Sequence, residues 1–129
     1  MRIFKTRHFE KFAKSSELSD VALAQAAAEV VAGLIDAKLG GNLVKKRVAV
    51  GSKGKSGGLR TILVHKHIEE QIIFLYGFAK KEKDNISSKE LVALRLLDKL
   101  YSQMTNKQIE TAINEQQLTE VPANDEHNG

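Results

Sequence analysis

The chain has 129 residues, a formal net charge of +4 at pH 7 and 42% apolar residues, which predicts one domain with a hydrophobic core of its own. It contains no cysteine, so disulfide bonds and thiolate zinc sites are excluded. Its N-terminus carries charges every few residues, and no apolar run approaches the length of a membrane span. We therefore expect a cytoplasmic protein without a signal peptide or a transmembrane helix.

The first forty residues show a helical pattern after a short strand. Residues 2–5 are predicted to form that strand, and residues 7–15 a first helix. A second helix can be capped by Ser19 or Asp20 and is predicted to end near Gly40. Its buried stripe is predicted to consist of Leu23, Ala27, Val30, Val31 and Leu34.

The pattern then changes to one that is typical of strands. The segments VKKRVAV, LRTILVHK and QIIFLYGFAK are separated by short loops, which favours an antiparallel meander of three strands. Two further helices follow, because Ser87 with Glu90 and Thr105 with Gln108 have the spacing of capping boxes.

These elements predict an α+β fold. Its antiparallel sheet consists of the three-strand meander plus the short N-terminal strand, with two N-terminal helices and two C-terminal helices around it. We assign residues 1–121 to one domain and expect the polar tail, residues 122–129, to be frayed.

The glycine-rich segment GSKGKSGG, residues 51–58, contains the last three positions of a nucleotide-binding P-loop. The first glycine of that motif would fall at position 49, which is Ala49, and the motif opens a helix. Here the following residues favour a strand instead. We therefore predict a loop between two strands that exposes Lys53 and Lys55.

Positive charge is concentrated in the middle of the chain. Between Asp36 and Glu69 there is no acidic residue, and such a window suits a polyanionic partner. The alternative is a solvated basic face without a ligand. The eight cationic residues of this window are Lys38, Lys45, Lys46, Arg47, Lys53, Lys55, Arg60 and Lys66.

Four segments within residues 2–104 together resemble the RelE superfamily of toxins from bacterial type II toxin–antitoxin modules, most closely its HigB-like branch. They are a K-x-R-V strand, the loop GSKGKSGGLR, the strand end YGFAK and the DNI before the next helix. The resemblance implies a ribosome-dependent mRNA endonuclease, or mRNA interferase. It would act on the message in the ribosomal A site, by attack of a ribose 2′-hydroxyl on the adjacent phosphate.

The resemblance also implies a cognate antitoxin, which we expect to be of the helix-turn-helix type. Two alternatives remain open: a ParE-like toxin that binds DNA gyrase without nuclease chemistry, and a non-catalytic RNA-binding module. The leucine stripes at residues 23–34 and 91–101 are predicted to be core, and the same faces are candidates for receiving a helix of the antitoxin.

RNA cleavage of this kind needs a base, cations that stabilise the charge on phosphorus, and an acid for the leaving oxygen. Arg60 starts the strand after the glycine loop, and its planar guanidinium can hold two phosphate oxygens. Lys53 and Lys55 flank Gly54 and could reach the same phosphate, and either could act as the base. We predict that no cofactor is required.

The remaining candidate residues lie on the two neighbouring strands. The resemblance assigns a phosphate contact to Lys80, at the end of the last strand. Tyr76 and Phe78 are predicted to share its strand face, where an aromatic ring can stack on a base. Lys45 and Arg47 point to one side of their strand and are candidates for contacts with RNA phosphates, or form a solvated outer face.

His65 and His67 have the spacing of an acid–base pair on one strand face. They lie at the opposite end of that strand from the glycine loop, which favours a surface position near a turn. No cluster of His, Asp or Glu has the spacing of a metal site, so we predict no metal.

Overall fold

The computed structural model describes residues 1–49 and 58–123. Within these ranges it contains four helices and a sheet of six strands. In chain order the elements are β1 (Arg2–Thr6), α1 (Arg7–Ser15), α2 (Asp20–Val31), β2 (Ala37–Lys38), β3 (Leu43–Val48), β4 (Leu59–Lys66), β5 (Gln71–Ala79), α3 (Ser88–Ser102), α4 (Asn106–Asn114) and β6 (Leu118–Val121).

The six strands lie in the order β2-β3-β4-β5-β1-β6. Strands β3, β4 and β5 form the predicted antiparallel meander. The prediction of an antiparallel sheet was wrong for β1, which pairs with β5 in parallel and with β6 in the antiparallel sense. The sheet is therefore mixed. A parallel pair needs a long crossover, and the chain from α1 to β4 supplies it between β1 and β5.

The sheet carries a hydrophobic core on each face, because successive strand residues point to opposite sides. On one face, Phe9 of α1 and Leu23 of α2 pack with Phe74 of β5. On the other face, Leu94 of α3 and Ile109 of α4 belong to the second core, together with sheet residues that include Phe4, Ile62, Val64 and Ile73. We refer to this second side as the α3 face.

The helix starts agree with the capping residues identified in the sequence. The Ser19 hydroxyl accepts a hydrogen bond from the backbone N–H of Ala22 at 3.1 Å. Ser87 with Glu90, and Thr105 with Gln108, form complete capping boxes at α3 and α4. These reciprocal bonds satisfy backbone donors that a helix start leaves unpaired.

The second helix ends earlier than predicted. It stops at Val31, and Gly33, with a φ of 90°, then turns the chain toward the short strand β2. Glycine adopts this conformation without the steric cost that a Cβ imposes. Leu34 therefore lies beyond the helix. Val31, its last residue, and Leu34 are both exposed, so the prediction that they belong to the core was wrong.

No helix within residues 1–49 and 58–123 is both long enough and apolar enough to cross a lipid bilayer.

Candidate functional site

Three of the predicted site residues lie in one row across the meander. Arg47 of β3 is the cross-strand partner of Arg60 of β4, and Arg60 is in turn the partner of Phe78 of β5. Directly opposite residues of neighbouring strands have their Cβ atoms about 5 Å apart on the same side of the sheet. The row lies close to the end of β3 and the start of β4, which residues 49–58 connect along the chain.

A second row follows two residues further along the strands. Lys45 pairs with Ile62, and Ile62 pairs with Tyr76. Ile62 and Tyr76 both contact the core of the α3 face, so this row and the first one lie on that face. We call the five predicted residues of these rows the cationic face: Lys45, Arg47, Arg60, Tyr76 and Phe78.

An irregularity in the β4–β5 pairing determines the side of the sheet on which the Tyr76 side chain lies. The register shifts between Ile62 and Leu63, whose partners are Tyr76 and Phe74. Leu75 is thereby an extra residue in β5, and both Leu75 and Tyr76 belong to the α3 face. Extra residues of this kind re-aim the side chains that follow them.

The members of the cationic face differ in exposure. Arg60 is 7% exposed and Phe78 is 5% exposed, and Arg60 has an interaction partner. Arg47 is exposed, and its Nε donates to Asp36 Oδ1 at 2.8 Å. Lys45 is half-buried. The Arg47 side chain is therefore open to solvent, whereas the Arg60 side chain is largely covered by its neighbours.

The other three predicted site residues are at the margin of the cationic face or outside the described chain. Lys80 directly follows β5 and is exposed. Lys53 and Lys55 belong to residues 50–57, which lie outside the described residues, and their catalytic role stays a prediction.

Tyr76 is held in a polar network that the sequence did not indicate. Its hydroxyl donates to Glu90 Oε2 at 2.8 Å, and Lys83 forms an ion pair with the same carboxylate. The His8 ring stacks on the Tyr76 ring, with centroids 5.8 Å apart and planes at 9°. Burial, followed by the hydrogen bond to Glu90, raises the pKa of Tyr76, so the hydroxyl stays protonated and acts as a donor.

The network makes Glu90 a pH-dependent contributor to stability. The Lys83 ammonium, followed by a backbone N–H at the Ser87 cap, lowers the pKa of Glu90 from 4.5 to about 2. A carboxylate with a lowered folded-state pKa stabilises the fold above its unfolded pKa and loses that contribution as the pH falls. The loss therefore falls between pH 4.5 and about pH 2.

We expect the wild-type melting temperature to fall more steeply between pH 4.5 and pH 2 than that of Glu90→Gln, which cannot ionise. Circular dichroism melts at pH 7, 4.5, 3 and 2 measure the difference. If the melting temperatures of the two proteins fall by the same amount across this range, the Lys83–Glu90 pair does not stabilise the fold.

A cleft of about 530 Å³ adjoins this network on the α3 face. It lies between α3, the end of β1 and the middle of β5, and Tyr76 forms part of its wall beside the cationic face. Its lining combines apolar and aromatic side chains, among them Leu75, Leu94, Leu97 and Tyr101, with the polar residues Thr6, Arg7, His8, Glu90 and Gln117.

The comparison with protein families decides the class of the chain. A model described as RelE toxin of the RelE / RelB toxin-antitoxin system matches residues 1–121. The chain belongs to this toxin family. A search of curated proteins found no match. The match confirms the resemblance to the RelE superfamily, whereas assignment to the HigB-like branch stays a prediction.

Membership identifies the toxin as one component of a toxin–antitoxin system, whose partner is an antitoxin.

His65 and His67 of the toxin lie away from the cationic face, at the other end of β4 from Arg60. Their ring centroids are 3.9 Å apart, and His65 Nε2 is 2.6 Å from Glu70 Oε2. Among the described residues, no three or more His, Cys, Asp or Glu side chains are arranged to hold a metal ion.

The structure brings three further residues next to the candidate site: His8, Lys83 and Glu90. Each contacts Tyr76 directly, by ring stacking or through the polar network at its hydroxyl. The sequence signal at Glu90 was its capping-box spacing, which identified a helix start and not a contact with β5. No local pattern connects His8, at the start of α1, to a strand almost seventy residues later.

Proposed function

We propose that the toxin is a ribosome-dependent mRNA endonuclease, which cuts by attack of a ribose 2′-hydroxyl on the adjacent phosphate. Membership in the RelE toxin family supports this reaction class. The observation that carries the proposal is the row of Arg47, Arg60 and Phe78 beside Lys45 and Tyr76.

The proposed roles follow from how charge moves in the reaction. A base removes the 2′-hydroxyl proton, the 2′-oxygen bonds to phosphorus, and the 5′-oxygen leaves with a proton. Negative charge on the phosphoryl oxygens increases in the transition state, and Arg60 would bind two of them through its fork of N–H donors. The positioned guanidinium acts in a partly desolvated site, where charge interactions are stronger than in water.

The loop lysines and the flanking cations have different tasks in this scheme. One of Lys53 and Lys55 is proposed to remove the 2′-hydroxyl proton, and the other to protonate the leaving 5′-oxygen. Lys80 is proposed to contact a phosphate at the margin of the cationic face. Lys45 and Arg47 would hold phosphates next to the cut, which positions the message without reading its sequence. Tyr76 would stack on a base, and its fixed ring loses little conformational freedom when it does so.

The test is cleavage mapping on purified ribosomes that translate a defined message. We expect cuts within the codon in the A site, products with a 2′,3′-cyclic phosphate and a 5′-hydroxyl, and no cleavage of the same RNA without ribosomes. DNA breaks in a parallel gyrase assay without RNA cuts would support the ParE-like alternative. RNA binding without either product would support the non-catalytic alternative.

Arg47→Gln is expected to weaken ribosome binding while leaving the position of the cut unchanged. Removal of one phosphate contact makes the salt dependence of the affinity shallower by about one unit of slope. Co-sedimentation at several KCl concentrations measures this slope. The matched control is Arg2→Gln, which removes an arginine whose ion pairs are with Glu110 and Glu120. Equal slopes for both variants would remove Arg47 from the interface.

A further inference from the structure

Asp36 holds the side chain of Arg47, the exposed arginine of the cationic face. Its Oδ1 accepts a hydrogen bond from Arg47 Nε at 2.8 Å, and its Oδ2 accepts one from the backbone N–H of Arg47. The Asp36 side chain is 21% exposed, against 46% for that of Arg47. Both hydrogen bonds are charge-assisted and therefore stronger than bonds between neutral groups. Arg47 is thus ordered before a ligand binds to it.

The segment that carries Asp36 is itself fixed to β3 on both sides of the carboxylate. After it, β2 pairs with Val44 and Lys45, and the backbone N–H of Asp36 donates to the carbonyl of Lys45 at 2.9 Å. Before it, the carbonyl of Leu34 accepts a hydrogen bond from Lys46 Nζ at 2.8 Å. Because the backbone is held at these points, the Asp36 carboxylate is a positioned acceptor and not a mobile surface charge.

Lys46 makes its contact with Leu34 from the other side of the sheet. Successive strand residues point to opposite sides, so Lys46 lies on the side of α2, whereas Arg47 lies on the α3 face. There Lys46 Nζ is 2.7 Å from Glu29 Oε1, and the Lys46 side chain is 6% exposed. A buried ammonium needs such partners. The charge of Lys46 is therefore used inside the protein, where it supports the segment that carries Asp36.

The contact with Asp36 uses one of the three nitrogens of the Arg47 guanidinium. Nη1 and Nη2 make no hydrogen bond within the part of the chain that the structure describes. These two nitrogens are the pair that binds two oxygens of one phosphate. Since Nε is already held, Arg47 loses less rotamer freedom when a phosphate binds.

We propose that Asp36 is a positioning residue for message cleavage, which aligns Arg47 and, through Arg47, a phosphate next to the cut. The proposal rests on the proposed nuclease function and on the phosphate contact of Arg47 in it. A negative charge beside the cationic face reduces the attraction of RNA, so this carboxylate is unfavourable for affinity alone. Its contribution is orientation, and small errors in the position of reacting groups lower rates strongly.

Asp36→Ala removes both acceptors of Arg47 without adding a donor. We expect kcat for message cleavage on translating ribosomes to fall at least about 10-fold. KM should stay the same or fall, because a negative charge beside the RNA is lost. The matched control is Asp20→Ala, which removes an equal charge from the ion pair with Lys5, on the side of α2. It should cleave at the wild-type rate.

A double-mutant cycle separates positioning from structural support. The backbone N–H of Arg47 is present whatever side chain stands at this position, so loss of its bond to Asp36 has the same effect in Arg47→Gln. Positioning therefore predicts that Asp36→Ala causes no further loss of kcat in the Arg47→Gln background. A loss of the same size in that background, or wild-type kcat in Asp36→Ala alone, would overturn the proposal.

A measurement without cleavage keeps this proposal separate from the nuclease proposal. By NMR at pH 7, the Nε–H proton of Arg47 should exchange with water more slowly in the wild type than in Asp36→Ala, because the carboxylate protects it. Equal exchange in a wild type that cuts messages would overturn the positioning role alone. A protected proton in a wild type that does not cut would overturn both proposals and leave only the structural contact.

Discussion

Arg60→Gln is expected to lower the rate of message cleavage on translating ribosomes by at least about 100-fold, the effect of removing one positioned donor from a developing anion. Gln has a planar amide that retains part of the packing of Arg60, which is 7% exposed, but it lacks the charge and the two-point fork. Arg60→Lys should recover only part of the rate, because it restores the charge without the fork. Single-turnover cleavage of a radiolabelled message measures all three rates.

Lys66→Gln is the matched control for this experiment. Lys66 is a buried cation on the same strand and the same face as Arg60, at the opposite end of β4, and its ammonium donates to the carbonyl of Met104. It lies about 20 Å from Arg60 along the strand. Loss of activity in both variants would indicate general destabilisation, and full activity of Arg60→Gln would exclude Arg60 from the reaction.

Gly77→Ala is expected to destabilise the toxin by about 1–3 kcal/mol, the usual cost of overpacking a core. A Cβ at position 77 would lie 2.8 Å from Phe12 Cζ and closer still to two other ring carbons. Gly77 occupies β5 between Tyr76 and Phe78, so displacement of the Phe12 ring disturbs the strand that carries two residues of the cationic face. Urea unfolding at 25 °C measures the loss.

A double-mutant cycle tests the cause of this effect. Phe12→Leu removes the ring that meets the new methyl group, so Gly77→Ala should cost less in the Phe12→Leu background than in the wild type. Strictly additive losses would show that the clash with Phe12 is not the reason why glycine is needed here. Strand propensity would then have to account for the effect of the added Cβ.

The sequence predicted the elements that depend on local patterns. The caps at Ser19, Ser87 and Thr105 lie within three residues of the backbone groups that they satisfy, so their spacing is visible in the chain. The alternation that identifies β3 is equally local. The sequence did not indicate the parallel pairing of β1, or the short strands β2 and β6, because these are set by contacts between distant residues.

The candidate site shows the same division between features set by local sequence patterns and features set by contacts between distant residues. The shared side of Lys45 and Arg47 follows from the period of a strand, and both were predicted to point together. The row of Arg47, Arg60 and Phe78 depends on the register of three strands, which the sequence leaves undetermined until the turns and both cores are known. The contacts of His8 and Lys83 with Tyr76 depend on tertiary packing alone.

The most direct test of the proposed reaction is a message with a single 2′-deoxynucleotide at the mapped cut site, presented to the toxin on translating ribosomes. Attack by the 2′-hydroxyl predicts that this linkage stays intact, while the same linkage in an all-ribose message is cut to a 2′,3′-cyclic phosphate and a 5′-hydroxyl. Cleavage of the deoxy-substituted linkage at the wild-type rate would contradict the mechanism.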